Sequence, residues 1–145
     1  VRVDVAVCPP GDGVRVAIAR FGQSVLDVLG CRSTELSVLL CGDPFIRDLN
    51  QRFRGIDVPT DVLSFEQNGL VLGDVVISLD TARRQARASG IEEAVELCEL
   101  LLHGILHLLG HDHGDGEPAD EPMLQEQKRL LELLVTDRPT VEALS

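Results

Sequence analysis

The chain has 145 residues, 44% hydrophobic and 26% charged, which fits one globular domain and leaves little room for two. No apolar run reaches the roughly 18 residues of a membrane-spanning helix and no basic leader precedes an apolar stretch, so neither a membrane partner nor a secretory signal is expected. Thirteen basic residues stand against 24 acidic ones, a net charge of −11 whose field repels polyanions at long range.

From the N-terminus, Val1 to Val7 alternates apolar residues with Arg2 and Asp4 and predicts a strand. Pro9, Pro10, Gly11 and Gly13 predict a turn. Val14, Ile18, Phe21, Val25, Leu26 and Leu29 recur at helical spacing and predict a helix stopped by Gly30. Glu35 to Cys41 predicts a buried strand. Asp43-Pro44 opens the next helix, with Asp43 expected as its N-cap; that helix reaches about Phe53 and stops near Gly55. Asp61 to Phe65 and Val71 to Leu79 predict two strands separated by a turn at Asn68-Gly69. Asp80 is the expected cap of an Arg-rich helix that ends at Gly90. Ile91 to Leu109 predicts a long helix closed by Gly110, followed by a polar loop over 111–121 and a last helix from Pro122 to about Val135. Strands alternating with helices early, then helices alone, predict an α+β (mixed α/β) fold. One domain is expected over 1–135 and a frayed tail over 136–145.

Charge divides unevenly along this map. Residues 1–90 hold 10 arginines against 11 acids, whereas residues 91–145 hold 3 basic residues against 13 acids. Any contact with nucleic acid must therefore come from a local patch in the first part. Arg47, Arg52 and Arg54 form one candidate set and Arg83, Arg84 and Arg87 another, with solvated helix faces as the plainer reading of both. With no Trp, no Tyr and four Phe, platforms for base stacking are scarce. Cys8, Cys31, Cys41 and Cys98 form no C-x-x-C pair and read as small buried hydrophobes rather than a disulfide framework or a zinc site.

The long helix carries the chemistry. Between Val95 and Leu109 apolar residues fall on nearly every side, as in a buried helix, but one seam is polar: Glu96, Glu99, His103 and His107 lie 3, 4 and 4 residues apart. Two histidines at i and i+4 can present their imidazoles to one point. Gly104 between them costs about 1 kcal/mol relative to Ala, which a close neighbour against the helix would explain. Gly110 permits a left-handed exit, after which the chain turns back through His111, Asp112 and His113. All four histidines fall within eleven residues. The pattern His103-x3-His107-x2-Gly110-x2-His113 suits a three-nitrogen zinc site with a fourth position open to water, the arrangement of catalytic zinc. His111 is a rival for the third position; spacing favours His113. Metzincin proteases share this spacing but have a Glu after the first His, where Gly104 cannot transfer a proton.

The run from His103 to His113, His-Gly-Ile-Leu-His-Leu-Leu-Gly-His-Asp-His, resembles the signature of the YbeY endoribonuclease family. Leu49-Asn50, Arg54-Gly55 and Pro59-Thr60-Asp61-Val62-Leu63-Ser64-Phe65 agree with it, as do Leu72-Gly73-Asp74-Val75-Val76-Ile77-Ser78 and Met123 with Gln127. The resemblance spans roughly residues 35–134. It implies a small mixed sheet of about four strands surrounded by about five helices. It further implies one zinc ion on His103, His107 and His113, with Arg54 and His103 in the catalytic set. The implied activity is cleavage of single-stranded RNA in the cytoplasm, in maturation of small-subunit ribosomal RNA and in ribosome quality control. A ribosomal protein or a ribosome-associated GTPase is the implied kind of protein partner. Two other readings stay open: a zinc hydrolase of peptides or amides, and a non-catalytic ribosome-assembly factor.

Overall fold

The computed structural model of the protein describes residues 2–7, 14–31, 34–67 and 71–110, together with Gln125 and Arg129. Its elements are β1 (Arg2–Val7), α1 (Arg15–Val28), β2 (Glu35–Cys41), α2 (Asp43–Arg54), β3 (Val62–Glu66), β4 (Val71–Ser78), α3 (Leu79–Ser89) and α4 (Glu93–Leu108). The expected turns at Pro9–Gly13 and Asn68-Gly69, the loop 111–121 and the tail lie outside the described residues. So does most of the expected last helix, of which Gln125 and Arg129 are helical.

The four strands form one sheet in the order β1-β2-β4-β3. β1, β2 and β4 run parallel, and β3 pairs antiparallel with β4, bringing Ser64 opposite Val75 and Phe65 opposite Asp74. The fold is therefore α+β with a mixed sheet, as predicted.

Alternation along the strands gives the sheet two apolar faces. On the first, Leu36, Val38, Leu40, Val75 and Ile77 pack with Ile18, Phe21 and Val25 of α1 and with Leu101, Ile105 and Leu108 of α4. Each such side chain, removed from water, contributes about 1.5–3 kcal/mol. On the second face, Cys41, Leu63 and Val76 pack under Ile46 of α2, with Leu39, Leu49 and Phe65 at the margin. Cover on this face is partial: Phe45, Phe53, Phe65, Leu39 and Asp74 border an open groove of about 610 Å³.

Two helix starts differ from expectation. Asp43 is the first residue of α2 and Gly42 its cap, without a side-chain bond. Ser78 caps α3, its Oγ accepting from Thr81 N at 3.2 Å. The two aspartates act across the gap instead. Asp80 accepts the Asp43 N–H at 2.9 Å, and Asp43 accepts from Ser78 Oγ at 2.6 Å, Thr81 Oγ1 at 2.7 Å and Arg84 at 2.8 Å. Burial pushes the Asp43 carboxyl up in pKa, but these donors outweigh it and hold the group below its ordinary value. A helix start needs its N–H groups satisfied, and here a neighbouring helix meets part of that need.

Candidate active site

α4 is buried along most of its circumference because it lies under the sheet edge formed by β3 and β4. Its polar seam is where the sequence places it. His103 and His107 are half-buried, their ring centroids 4.4 Å apart and their planes at 61°. The two Nε2 atoms approach to 2.9 Å. Two imidazoles on one tetrahedral zinc, each bonded at 2.0–2.1 Å, hold their nitrogens about 3.3 Å apart. The pair therefore needs a shift of only a few tenths of an ångström to share an ion, and neutral imidazole is a fitting donor for one. His113 and its rival His111 lie outside the described residues. Among the described residues no three His, Cys, Asp or Glu side chains gather into a metal-binding group.

The glycine between the histidines has a steric cause. A Cβ on Gly104 would stand 2.7 Å from Val75 Cγ1 and 3.2 Å from Ser64 Oγ, and Ser64 Oγ donates to the Gly104 carbonyl at 3.2 Å. The helix touches the sheet with its backbone here, which fixes the height of both imidazoles above β3 and β4. The site has no room for a glutamate at this position.

Glu96 and Glu99 share the seam. Glu96 is 8% exposed, and burial raises its pKa, with the charges of Glu99 and Asp61 adding to the effect. Burial alone raises Glu99. Asp61 is engaged at the start of β3, where it accepts from Val62 N at 2.8 Å and from Gln85 Nε2 at 3.2 Å. Asp74 accepts from Gln67 Nε2 at 2.8 Å.

Arg54 stands in the last turn of α2, on the helix that covers the opposite sheet face from α4. Its Nη1 donates to Asn50 Oδ1 at 3.5 Å. β3 links the two helices: Ser64 meets α4, while Leu63 and Phe65 face α2, with the Phe65 ring 5.1 Å from that of Phe53. The structure thus joins His103 to His107 directly, and relates Arg54 to them through the edge strand.

The two arginine sets are largely engaged with carboxylates. Arg47 pairs with Asp57 at 2.9 Å, Arg52 with Asp48 at 3.1 Å, Arg83 with Glu93 at 2.9 Å and Arg84 with Asp43 at 2.8 Å. For these four the plainer reading, structural helix faces, describes the contacts better than a phosphate-binding patch. Asn50 is the residue that sequence reasoning undervalued. Its signal was available, since an amide four residues after Ile46 falls on the buried stripe of α2.

Cysteine placement follows expectation where described. Cys41 and Cys98 are buried and Cys31 is half-buried, all as free thiols. Burial, aided by Glu99, pushes the Cys98 thiol up to about 12, far from reactive thiolate.

A three-stranded parallel sheet with one antiparallel edge, carrying a His-x3-His pair on a buried helix beside that edge, defines a small α+β protein with a histidine site at the sheet edge. Residues 14–135 match the family model described as Endoribonuclease YbeY. Endoribonuclease YbeY of Treponema denticola is 42% identical over 133 residues, covering 85% of each chain. The Gloeobacter violaceus protein of the same name is 46% identical over 134 residues, 83% of this chain and 69% of the relative. The solution structure of TM1509 from Thermotoga maritima superposes with a TM-score of 0.67 at 26% identity, covering 99% of this chain and 95% of that one. The chain belongs to the Endoribonuclease YbeY family.

Proposed function

We propose that the protein is a zinc-dependent endoribonuclease of the cytoplasm that cleaves single-stranded RNA in small-subunit ribosomal RNA maturation and ribosome quality control. The observation that carries the reading is the approach of His103 Nε2 and His107 Nε2 to 2.9 Å, in a chain whose relatives are named endoribonucleases. His103, His107 and His113 would hold one zinc ion, and Gly104 keeps the first two level by seating the helix against Val75. Bound zinc with an open position supplies Lewis acidity and brings the pKa of a coordinated water to about 7.

The chain's own contribution is orientation and charge. The imidazoles offer Nε2 outward from a helix that cannot rotate, because its remaining faces are buried in the core. Arg54 presents a planar fork suited to the oxygens of a phosphodiester as charge develops on them. With few aromatic side chains, recognition rests on the backbone of the RNA more than on stacked bases. The acidic character of residues 91–145 suits a basic protein partner, a ribosomal protein, or else a ribosome-associated GTPase, that brings enzyme and RNA together.

The test is metal analysis of the purified protein alongside cleavage of a single-stranded RNA with and without chelator. Near-stoichiometric zinc, loss of cleavage on chelation and recovery on adding zinc are expected, with His103→Ala losing both metal and activity. Undiminished cleavage by metal-free protein overturns the reading. End-group analysis of the products then separates attack by water from attack by the ribose 2′-hydroxyl, which leaves a cyclic phosphate.

A further inference from the structure

We infer that Asn50 is a positioning residue for Arg54, tying its guanidinium to the turn that leads into β3. The inference rests on the proposed role of Arg54 at phosphate.

Asn50 is 1% exposed, on a helix whose other fully buried residue is Ile46. A buried amide is costly unless both its ends are bonded. Here both are: Nδ2 donates to the Val58 carbonyl at 2.8 Å and Oδ1 accepts from Arg54 Nη1 at 3.5 Å. Its backbone carbonyl accepts from Ile56 N at 3.4 Å, just past Gly55, whose φ of +71° turns the chain out of the helix. One residue therefore holds the helix end, the exit turn and the guanidinium. The contact to Arg54 is long, and so guides the side chain more than it clamps it.

The chemistry favours asparagine over its neighbours in shape. An arginine at an exposed helix end has many rotamers open to it, and the loss of that freedom opposes its fixing. An acceptor one turn earlier narrows that range before substrate arrives, as preorganisation requires. A carboxylate there would attract Arg54 more strongly, but it would neutralise the charge that a phosphate needs and face the Val58 carbonyl with a second acceptor. Leucine would fill the space while leaving that carbonyl and the guanidinium without this partner. The amide accepts from the cation, donates to the carbonyl and adds no charge.

A double-mutant cycle tests this, using full-length zinc-loaded protein and a single-stranded RNA. kcat and KM are measured for Asn50→Leu with Arg54 present and with Arg54→Ala, and urea stability is measured in parallel. If Asn50 acts through Arg54, Asn50→Leu lowers kcat/KM about tenfold with Arg54 present and less than about twofold with Arg54→Ala, while the stability loss is the same in both. An equal activity effect in both backgrounds, or none in either, overturns the inference and leaves the role of Arg54 standing. An Arg54→Ala variant that cleaves as well as the parent overturns the role of Arg54 and this inference with it. Should Asn50→Leu be unfolded at the assay temperature, the smaller Asn50→Ala, which removes the same acceptor and adds no charge, takes its place in the cycle with the same outcomes.

Discussion

Glu96 is buried beside two other carboxylates, Glu99 and Asp61, and its elevated pKa records a cost to the folded state. The folded chain binds this proton more tightly than the unfolded chain. Stability from this group therefore falls as pH rises from the ordinary carboxylate pKa through the raised one. Glu96→Gln should raise the thermal midpoint at pH 7 and flatten the slope of midpoint against pH above the ordinary carboxylate range. Calorimetry at a series of pH values checks it; an unchanged or lower midpoint at pH 7 contradicts the account. Gly104 calls for the opposite result. Gly104→Ala adds one methyl against Val75 and Ser64, and should cost about 1–3 kcal/mol in urea despite the better helix propensity of alanine. A stabilised variant would show that the contact yields. At this scale the sequence was informative where spacing decides, as with His103 and His107. Gly104 called for a close neighbour against the helix, which Val75 supplies, but spacing could not name that neighbour or Val58 beside Asn50, because each comes from elsewhere in the chain.

Among the elements, boundaries were legible because glycines and apolar runs mark them: β2 coincides with its expected span, and α4 falls two residues inside at its start and one at its end. The exchange of duties between Asp43 and Asp80 was not legible. Each aspartate sits where a cap is expected, and the bonds that redirect them join residues more than 30 positions apart. Asp43 thereby couples the start of α2 to α3. Asp43→Ala removes an acceptor for three donors, leaves the fully buried Ser78 hydroxyl without it, and should cost about 2–3 kcal/mol. Asp43→Asn keeps the shape and should cost less. Because the folded-state pKa of Asp43 is lowered, its contribution is complete above the ordinary carboxylate value and disappears as pH falls through the depressed one. Parent and Asp43→Ala should thus converge in stability as the pH is brought below the ordinary carboxylate range, which denaturation at a series of acid pH values would reveal.

Over the whole molecule, an open apolar groove sits on a chain with a net charge of −11 and a sequence pI near 4.6. Mutual repulsion at neutral pH keeps such chains apart, and it vanishes as the carboxylates protonate. Light scattering should rise to a maximum close to pH 4.6 and fall again on further acidification, provided the fold persists. Scattering independent of pH would mean that charge is not what disperses the molecules. The same acidity limits how RNA can be engaged. Four of the six candidate arginines are held by carboxylates, so these two sets displace few counterions and cleavage should weaken only gently with added salt. A steep loss in log kcat/KM against log salt would reveal a broad phosphate-binding surface.

The tight seat of α4 on Val75 also bears on redesign. Metalloproteases with the same histidine spacing keep a proton-shuttling glutamate at the position that Gly104 fills, and grafting one here is barred by a side chain of the sheet, not by the helix itself. Converting this scaffold to amide hydrolysis would have to begin by hollowing out β4, at Val75, before any new acid or base could be installed above it.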